Sequence, residues 1–359
     1  MKTLWIIPET AGGIRTYAET LFPELENEAR ALWHLPSEHD LREAPEKLIH
    51  LQHEFGLFGS KVPGFYRFPA WILNARRAAG ARKWVVTAHT VLDSAWNYPR
   101  SIGVLGGLKT FLLNRIVVPF ARESWGKGTW GDFDGVIVHS ALQLDALRNA
   151  GAKRTVVIPH FVPRLEKFSE PVAARARVLL FGYFSLEKGQ DLAIRAWREF
   201  GTEGPKLILA GGVRRPEDRS YFEECRTLIR RFGLEDAIEI TGFVPASKTA
   251  ELYRDATLVL APFRATSGSG SLATAFGHGA AVLASDLPIN REVQTRVPGC
   301  LAVFPAGDPV GLAKEVRALL GDRERRDGLR ESARIYAEIF SPEKVAQLHR
   351  DFYEMVHKS

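Results

Sequence analysis

Residues 258–278 read LVLAPFRATSGSGSLATAFGH, which is an apolar run, a loop of small residues and a helical pattern in succession. The run Leu258–Ala261 has the length of a buried strand, and the helical pattern covers Leu272–His278. Free N–H groups of small residues at a helix start can surround an anion. The loop Thr266–Ser271 therefore predicts a phosphate site; the alternative interpretation is a flexible connecting loop.

The same order of apolar run and helical pattern recurs along the chain and predicts parallel sheets of an α/β protein. The polar stretch Pro163–Glu166 separates two such series, and 359 residues exceed one compact core, so we expect two Rossmann-like domains. The strands predicted in the first series are Leu4–Pro8, Leu48–Gln52, Trp84–His89, Gly135–His139 and Val156–Pro159. Those predicted in the second are Val178–Phe181, Leu207–Ala210, Ile238–Thr241, Leu258–Ala261, Ala281–Ala284 and Leu301–Phe304.

Two further glycine turns follow the first strand of each series. Gly12 and Gly13 precede a helix from Ile14 to about Leu21, where a backbone can approach a phosphate closely. The alternative is a tight turn without a ligand. The stretch Gly182–Gly189 places Lys188 at a helix start, where an ammonium could neutralise a diphosphate leaving group; the alternative is a solvated surface lysine.

Histidines and acidic residues supply further candidates for functional sites. His89 ends a strand, and ligands of open α/β sheets collect at the carboxyl ends of strands, so an active-site role competes with a structural one. For His160 we favour a structural role. The triplet Asp132–Asp134 imitates a metal-binding DxD motif, but it directly precedes a predicted buried strand and is interpreted as a polar turn. No metal site is predicted.

Composition narrows the class of protein. The two cysteines, Cys225 and Cys300, are far apart, which argues against a disulfide framework or a structural zinc site and favours a reducing cytoplasm. No apolar run is long enough for a transmembrane helix, and the N-terminus is predicted to be a strand rather than a signal peptide. The net charge is +6, and residues 55–131 hold eleven Lys and Arg against Asp93 and Glu123. Such an excess would attract an anion.

Apolar side chains are interleaved with these bases, and Leu105–Phe120 could form one face of a helix at a membrane interface. The alternative is a core helix beside a solvated basic face. Nucleic acid is not expected as a partner, because no nucleic-acid-binding motif is present.

Taken together, the segments resemble glycosyltransferase family 4, the retaining enzymes of the GT-B fold. The resemblance runs nearly from end to end. The segments that carry it are Gly12–Gly13, Thr87–His89, Val136–Ser140, Val157–His160, Glu187–Gly189, Ala210–Gly212, Thr241–Val244, Leu260–Phe263 and Phe340–Glu343.

This resemblance implies an acceptor-binding domain at 1–164 and a nucleotide-sugar-binding domain at 165–340, with the active site in the cleft between them and a last helix, about 341–359, returning to the first domain. It implies a nucleoside-diphosphate sugar as substrate, with no cofactor and no metal. The catalytic residues are expected to be His89 and Lys188. The donor-binding residues are expected to be Gly12, Gly13, Tyr183, Ser185, Lys188, Arg264, Thr266, Gly268, Ser269, Gly270, Ser271 and Thr274.

The sequence departs from the family pattern at three positions. Tyr183 stands where the family has an arginine, and Thr266 and Thr274 stand where it has two glutamates that contact the donor's sugar and ribose. Threonine can still hydrogen-bond a hydroxyl, but as a shorter, neutral group.

The expected activity is retaining transfer of a hexosyl-type sugar to a hydroxyl. The acceptor is unknown and could be lipid-linked or anionic, and the enzyme would be cytoplasmic, with possible peripheral contact at the inner face of a membrane. Two alternatives stay open: a catalytically silent GT-B homologue that partners another transferase, and a sugar-nucleotide epimerase. Fold alone does not separate them.

Overall fold

The computed structural model describes residues 2–8, 13–58, 66–92, 97, 104–126, 130–168, 175–214, 216–266, 268 and 270–358. The chain divides into two compact units. Unit 1 comprises Met1–Phe161 and Pro342–Ser359, and unit 2 comprises Val162–Ser341. Gly12 and Ser269 lie outside the described residues, and so do parts of the basic region 55–131.

Unit 1 is built on a parallel sheet in which six strands are described, in the order β2-β1-β3-β4-β5-β6. Four of these strands are almost entirely buried and rich in Val, Ile and Leu, as expected when helices cover both faces of a parallel sheet. The strands are β1 Thr3–Ile6, β2 Ala29–Leu32, β3 Leu48–His53, β4 Lys83–Ala88, β5 Gly135–Val138 and β6 Thr155–Val157. The helices that follow along the chain are α1 Gly13–Leu21, α2 Glu38–Glu43, α3 Phe55–Phe58, α4 Phe68–Ala79, α5 Val104–Leu112, α6 Val118–Gly126 and α7 Leu144–Asn149.

Unit 2 repeats this design with a second parallel sheet, whose described strands have the order β12-β11-β10-β7-β8-β9. The strands are β7 Arg177–Phe181, β8 Lys206–Ala210, β9 Ile238–Gly242, β10 Leu258–Ala261, β11 Val282–Ser285 and β12 Ala302–Phe304. The helices are α8 Gln190–Trp197, α9 Arg219–Arg231, α10 Ala246–Arg254, α11 Gly270–Gly277, α12 Pro288–Arg296, α13 Pro309–Gly321 and α14 Arg323–Ile339. The last helix, α15 Pro342–Lys358, belongs to unit 1, where Phe352 packs against Gly135 of β5.

The α/β class and the two Rossmann-like sheets are confirmed. All eleven predicted strands are present, with ends that move by one or two residues. His89 follows β4 rather than ending it, and the first strand stops at Ile6. The edge strand β2 was missed, because its sequence ARAL has neither an apolar run nor alternation and its side chains are half-exposed.

Candidate functional site

The strand order of unit 2 reverses direction between β7 and β10. Their neighbours lie on opposite sides, so the helices after them leave a crevice at the carboxyl ends of the two strands. Open α/β sheets bind ligands at such a switch point. The segments that follow β7 and β10 contain the two glycine-containing stretches singled out from the sequence, Gly182–Gly189 and Thr266–Ser271.

The turn after β7 places Lys188 at this edge. Leu186–Lys188 form one 3-10 turn, in which the N–H of Lys188 donates to the carbonyl of Ser185 at 3.0 Å. Gly189 then adopts φ +73°, and a Cβ there would lie 2.1 Å from the carbonyl oxygen of Pro262. The turn after β7 and the segment after β10 are therefore packed against each other at Gly189.

This close packing gives a testable result. Changing Gly189 to Ala is expected to destabilise unit 2 by roughly 2–4 kcal/mol, since the alanine meets both an unfavourable φ and a backbone clash. Gly201→Ala is the matched control, because Gly201 also has positive φ (+64°) but nothing lies within 4 Å of its Cβ position. Thermal unfolding should show the larger loss for Gly189→Ala. Equal losses would mean that the contact with Pro262 contributes nothing.

Lys188 is held by groups from three segments. Its Nζ donates to Ser271 Oγ at 3.3 Å and lies 4.0 Å from the centroid of the Phe263 ring. Its Cε is 3.9 Å from the position that a Cβ of Gly182 would take. Burial lowers the pKa of Lys188 from 10.5 to about 8, an effect that neighbouring Glu187 partly opposes. An ammonium that has lost part of its hydration is prepared to bind an anion.

Arg264 has a different environment from the one expected of a phosphate ligand. It makes a bidentate ion pair with the buried Asp191, with both N–O distances at 2.7 Å, and it also donates to the carbonyl of Leu186 at 2.9 Å. Asp191 accepts a further hydrogen bond from Tyr221 at 2.7 Å. In the described structure, Arg264 thus ties the Lys188 turn to α8.

The loop after β10 leads into the N-terminus of α11, whose first residues are Gly270 and Ser271. Thr266 Oγ1 donates to the carbonyl of Gly268 at 2.6 Å, and Thr274 Oγ1 donates to the carbonyl of Gly270 at 2.8 Å. Both hydroxyls therefore donate their proton to the backbone. Thr266 Oγ1 also accepts from the N–H of Gly268 at 3.2 Å, and each oxygen keeps a lone pair that can accept a further hydrogen bond.

Three other predicted donor-binding residues, Tyr183, Ser185 and Gly13, lie in the described structure. The Tyr183 side chain is exposed, and its backbone carbonyl accepts from Gln190. Ser185 precedes the Lys188 turn and makes no side-chain cap. Gly13 begins α1 of unit 1.

In unit 1, His89 lies in a cluster of hydrogen-bonded histidines. Its Nδ1 is 3.1 Å from His139 Nε2, and its Nε2 is 2.8 Å from Gln52 Oε1. Its ring also meets Tyr17 of α1 edge-on, with centroids 5.1 Å apart. Burial, followed by the nearby His139, lowers the pKa of His89 well below 6.5, so the ring is neutral.

The hydrogen bond between His139 and Ile158 constrains where the protons of this cluster lie. His139 Nδ1 is 2.9 Å from the carbonyl of Ile158, which can only accept, so Nδ1 carries the proton. If His139 is neutral, its Nε2 accepts from His89 Nδ1–H, and His89 Nε2 is then an acceptor. That tautomer requires the Gln52 amide to be flipped, so that its NH2 group replaces Oε1 at 2.8 Å from His89 Nε2.

The cluster continues to the C-terminal helix. Gln52 is 3.3 Å from His50, whose Nδ1 is 2.6 Å from Tyr353 OH of α15. Tyr17 OH is 3.2 Å from His349 of the same helix. Apart from His89, none of these residues was singled out from the sequence, because they come together only through the packing of α1, β3 and α15. His160 donates to the carbonyl of Phe161, as fits a structural role.

Among the residues that the structure describes, no group of three or more His, Cys, Asp or Glu side chains is arranged to hold a metal ion. Asp134 of the DxD-like triplet accepts from the N–H of Trp84 and pairs with Lys83 at 3.1 Å, so it fastens the start of a strand.

Solved structures share this fold. Anabaena HepE in complex with UDP covers 99% of this chain and 100% of its own, with a TM-score of 0.72 and 17% identity. Sucrose-phosphate synthase from Thermosynechococcus elongatus covers 99% of both chains, with a TM-score of 0.71 and 17% identity. The chain has the GT-B fold. A further HepE structure of this fold, at a TM-score of 0.72 and 16% identity, contains UDP-glucose.

Sequence comparison adds a family for part of this GT-B chain. Residues 175–322 match the family model of glycosyl transferases group 1. A curated relative, D-inositol 3-phosphate glycosyltransferase of Xylanimonas cellulosilytica, is 28% identical over 182 residues. That match covers 50% of this chain and 42% of the relative's length.

Proposed function

We propose that the chain is a glycosyltransferase that moves a hexosyl-type sugar from a nucleoside diphosphate to an acceptor hydroxyl, with retention of configuration and without a metal. The observation that carries the proposal is the position of Lys188. Its partly desolvated ammonium lies at the switch point of unit 2, beside the N-terminus of α11. The match of residues 175–322 to glycosyl transferases group 1 covers this site.

The donor diphosphate would bind at this site. Backbone N–H groups at the start of α11 and the ammonium of Lys188 would both face negative charge, which grows on the leaving oxygen as the glycosidic C–O bond breaks. Arg264 is assigned a positioning role, since its guanidinium is paired with Asp191 and supports the Lys188 turn. UDP and UDP-glucose bind the structural neighbour HepE, which supports a nucleotide sugar as donor.

Unit 1 is assigned to the acceptor. The basic excess of residues 55–131 favours an anionic or lipid-linked acceptor and a peripheral site at the inner face of a membrane. In the part of the chain that the structure describes, no helix combines the length and apolar character needed to cross a membrane. His89 is assigned to the reacting sugar on the strength of the family resemblance.

The activity is tested by calorimetry with common nucleotide sugars and free nucleotides, followed by assays of product release and of anomeric configuration. We expect binding of at least one nucleoside diphosphate and turnover that persists in EDTA. Loss of turnover in EDTA that magnesium or manganese restores would contradict the metal-free mechanism. Absence of any nucleotide binding would contradict the enzyme and favour a silent partner of another transferase. Interconversion of the donor without an acceptor would indicate an epimerase.

The two threonines can be tested separately. Thr274→Val keeps the shape but deletes the hydroxyl, and it should weaken both the nucleoside diphosphate and the whole donor by about 3–10-fold, the value of one neutral hydrogen bond. Thr266→Val should weaken only the sugar-bearing donor. Calorimetry with the nucleoside diphosphate and its sugar conjugate distinguishes the two effects. An equal loss for both ligands in Thr266→Val would move that residue away from the sugar.

A further inference from the structure

A continuous helical segment of unit 1 has two faces of opposite exposure. It consists of α5, the π-helical turn Leu113–Val117 and α6. One face is buried in the core of the unit through Thr110, Val118, Ala121 and Trp125. The other carries large apolar side chains that are between 47% and 59% exposed, namely Leu108, Phe111, Leu112, Ile116 and Phe120. We call these five residues the apolar stripe.

The π-helical turn keeps the stripe straight. An α-helix has about 3.6 residues per turn, so residues spaced by four drift around its axis. A π turn has more residues per turn and reverses that drift. Leu108, Leu112, Ile116 and Phe120 therefore remain in one row over three turns. Buried residues at 110, 118, 121 and 125 stay on the opposite side.

The five large apolar side chains of the stripe are costly to expose in water, and such patches normally pack against another surface. The charge of the helical segment indicates what kind of surface covers the apolar stripe. Arg115 is exposed and lies within the segment, whose residues 104–126 contain Lys109, Arg115 and Arg122 against Glu123. A second copy of the chain on the same stripe would bring two such excesses together, whereas an anionic surface would neutralise them.

We propose that the apolar stripe inserts into the surface of an anionic lipid bilayer, with the helical segment lying in the plane of the interface. Apolar side chains would enter the boundary of the acyl chains while the bases of the segment meet lipid phosphates. This interaction rests on the peripheral membrane site of the proposed function and assigns it to a surface, but it requires neither donor nor acceptor.

Vesicle binding tests the proposal with the full chain. The protein should sediment with vesicles of phosphatidylglycerol and phosphatidylcholine at low salt, be released as salt rises, and bind pure phosphatidylcholine weakly. The double variant Phe111→Ser, Phe120→Ser should bind the anionic vesicles about tenfold or more weakly. Phe243→Ser is the matched control: Phe243 is 72% exposed in unit 2, and its loss should leave vesicle binding unchanged.

Insertion can be followed directly. Cys225 and Cys300 are both buried, so Ile116→Cys can be labelled selectively with a polarity-sensitive dye. Its emission should shift to the blue with anionic vesicles, and that of labelled Phe243→Cys should not. Equal binding to neutral and anionic vesicles, or an unchanged double variant, would overturn the proposal. So would light scattering that shows a dimer in the wild type and a monomer in the double variant. Nucleotide binding by that variant, measured in solution, separates failure of this proposal from failure of the proposed enzyme.

Discussion

Replacing Lys188 by Ala should reduce donor turnover by tenfold to about a hundredfold and leave the fold intact. The variant removes a charge-assisted contact to the leaving diphosphate, which is worth about 1.5–3 kcal/mol. Lys188→Met should lose nearly as much, since it keeps the length of the side chain beside Phe263 but not the charge. Steady-state kinetics with the best donor measures both losses. Lys248→Met, at an exposed lysine of α10, is the control and should behave as the wild type.

The pH dependence of nucleotide affinity sharpens this test. Burial lowers the pKa of Lys188 to about 8, so the group is charged below that pH and neutral above it. A bound diphosphate favours the charged form and raises the pKa, so affinity should be level near pH 7 and fall above pH 8 by up to about tenfold per pH unit. Lys188→Met should bind weakly and without this decline. Identical pH profiles in the wild type and Lys188→Met would return Lys188 to the role of a surface lysine.

Structural features that depend on residues close together in the sequence could be predicted from it. The strand Leu258–Ala261 coincides with β10, because four apolar residues followed by proline and small residues suit a buried strand and little else. The position of Lys188 was also predictable. The turn that holds it is formed by consecutive residues, and Gly189 supplies the positive φ that the turn requires.

Features that join distant parts of the chain were not predictable in this way. Arg264 was expected to meet phosphate, but its partner Asp191 lies 73 residues earlier in α8, and no local pattern marks an acid that will be buried there. Gln52 lies in β3, and His139 directly follows β5. They meet His89 only because β3, β4 and β5 are neighbours in the sheet.

These neighbours determine the protonation state of His89. A substitution of Gln52 is therefore the most direct test of that state. Gln52→Glu would place a carboxylate within hydrogen-bonding distance of His89 Nε2, where the amide now lies at 2.8 Å. The carboxylate would favour an imidazolium that donates from both nitrogens, to the acid and to His139. The pKa of His89, held well below 6.5 by burial in the wild type, should rise, because the carboxylate stabilises the protonated ring. Ring-nitrogen NMR across a pH series measures this change.

The same substitution should reduce turnover about tenfold or more at neutral pH, provided that His89 lies near the reacting sugar. Glycosyl transfer, like glycoside hydrolysis, develops positive charge on the sugar, and a neighbouring imidazolium would repel it. Gln52→Leu is the uncharged control: it removes a hydrogen bond to His89 and should cost about 1–3 kcal/mol of stability with a smaller loss of turnover. The pH profile separates the two, because Gln52→Glu should recover activity as His89 loses its proton at high pH, and Gln52→Leu should not. Full activity of Gln52→Glu with a protonated His89 in the NMR spectrum would place His89 away from the reaction.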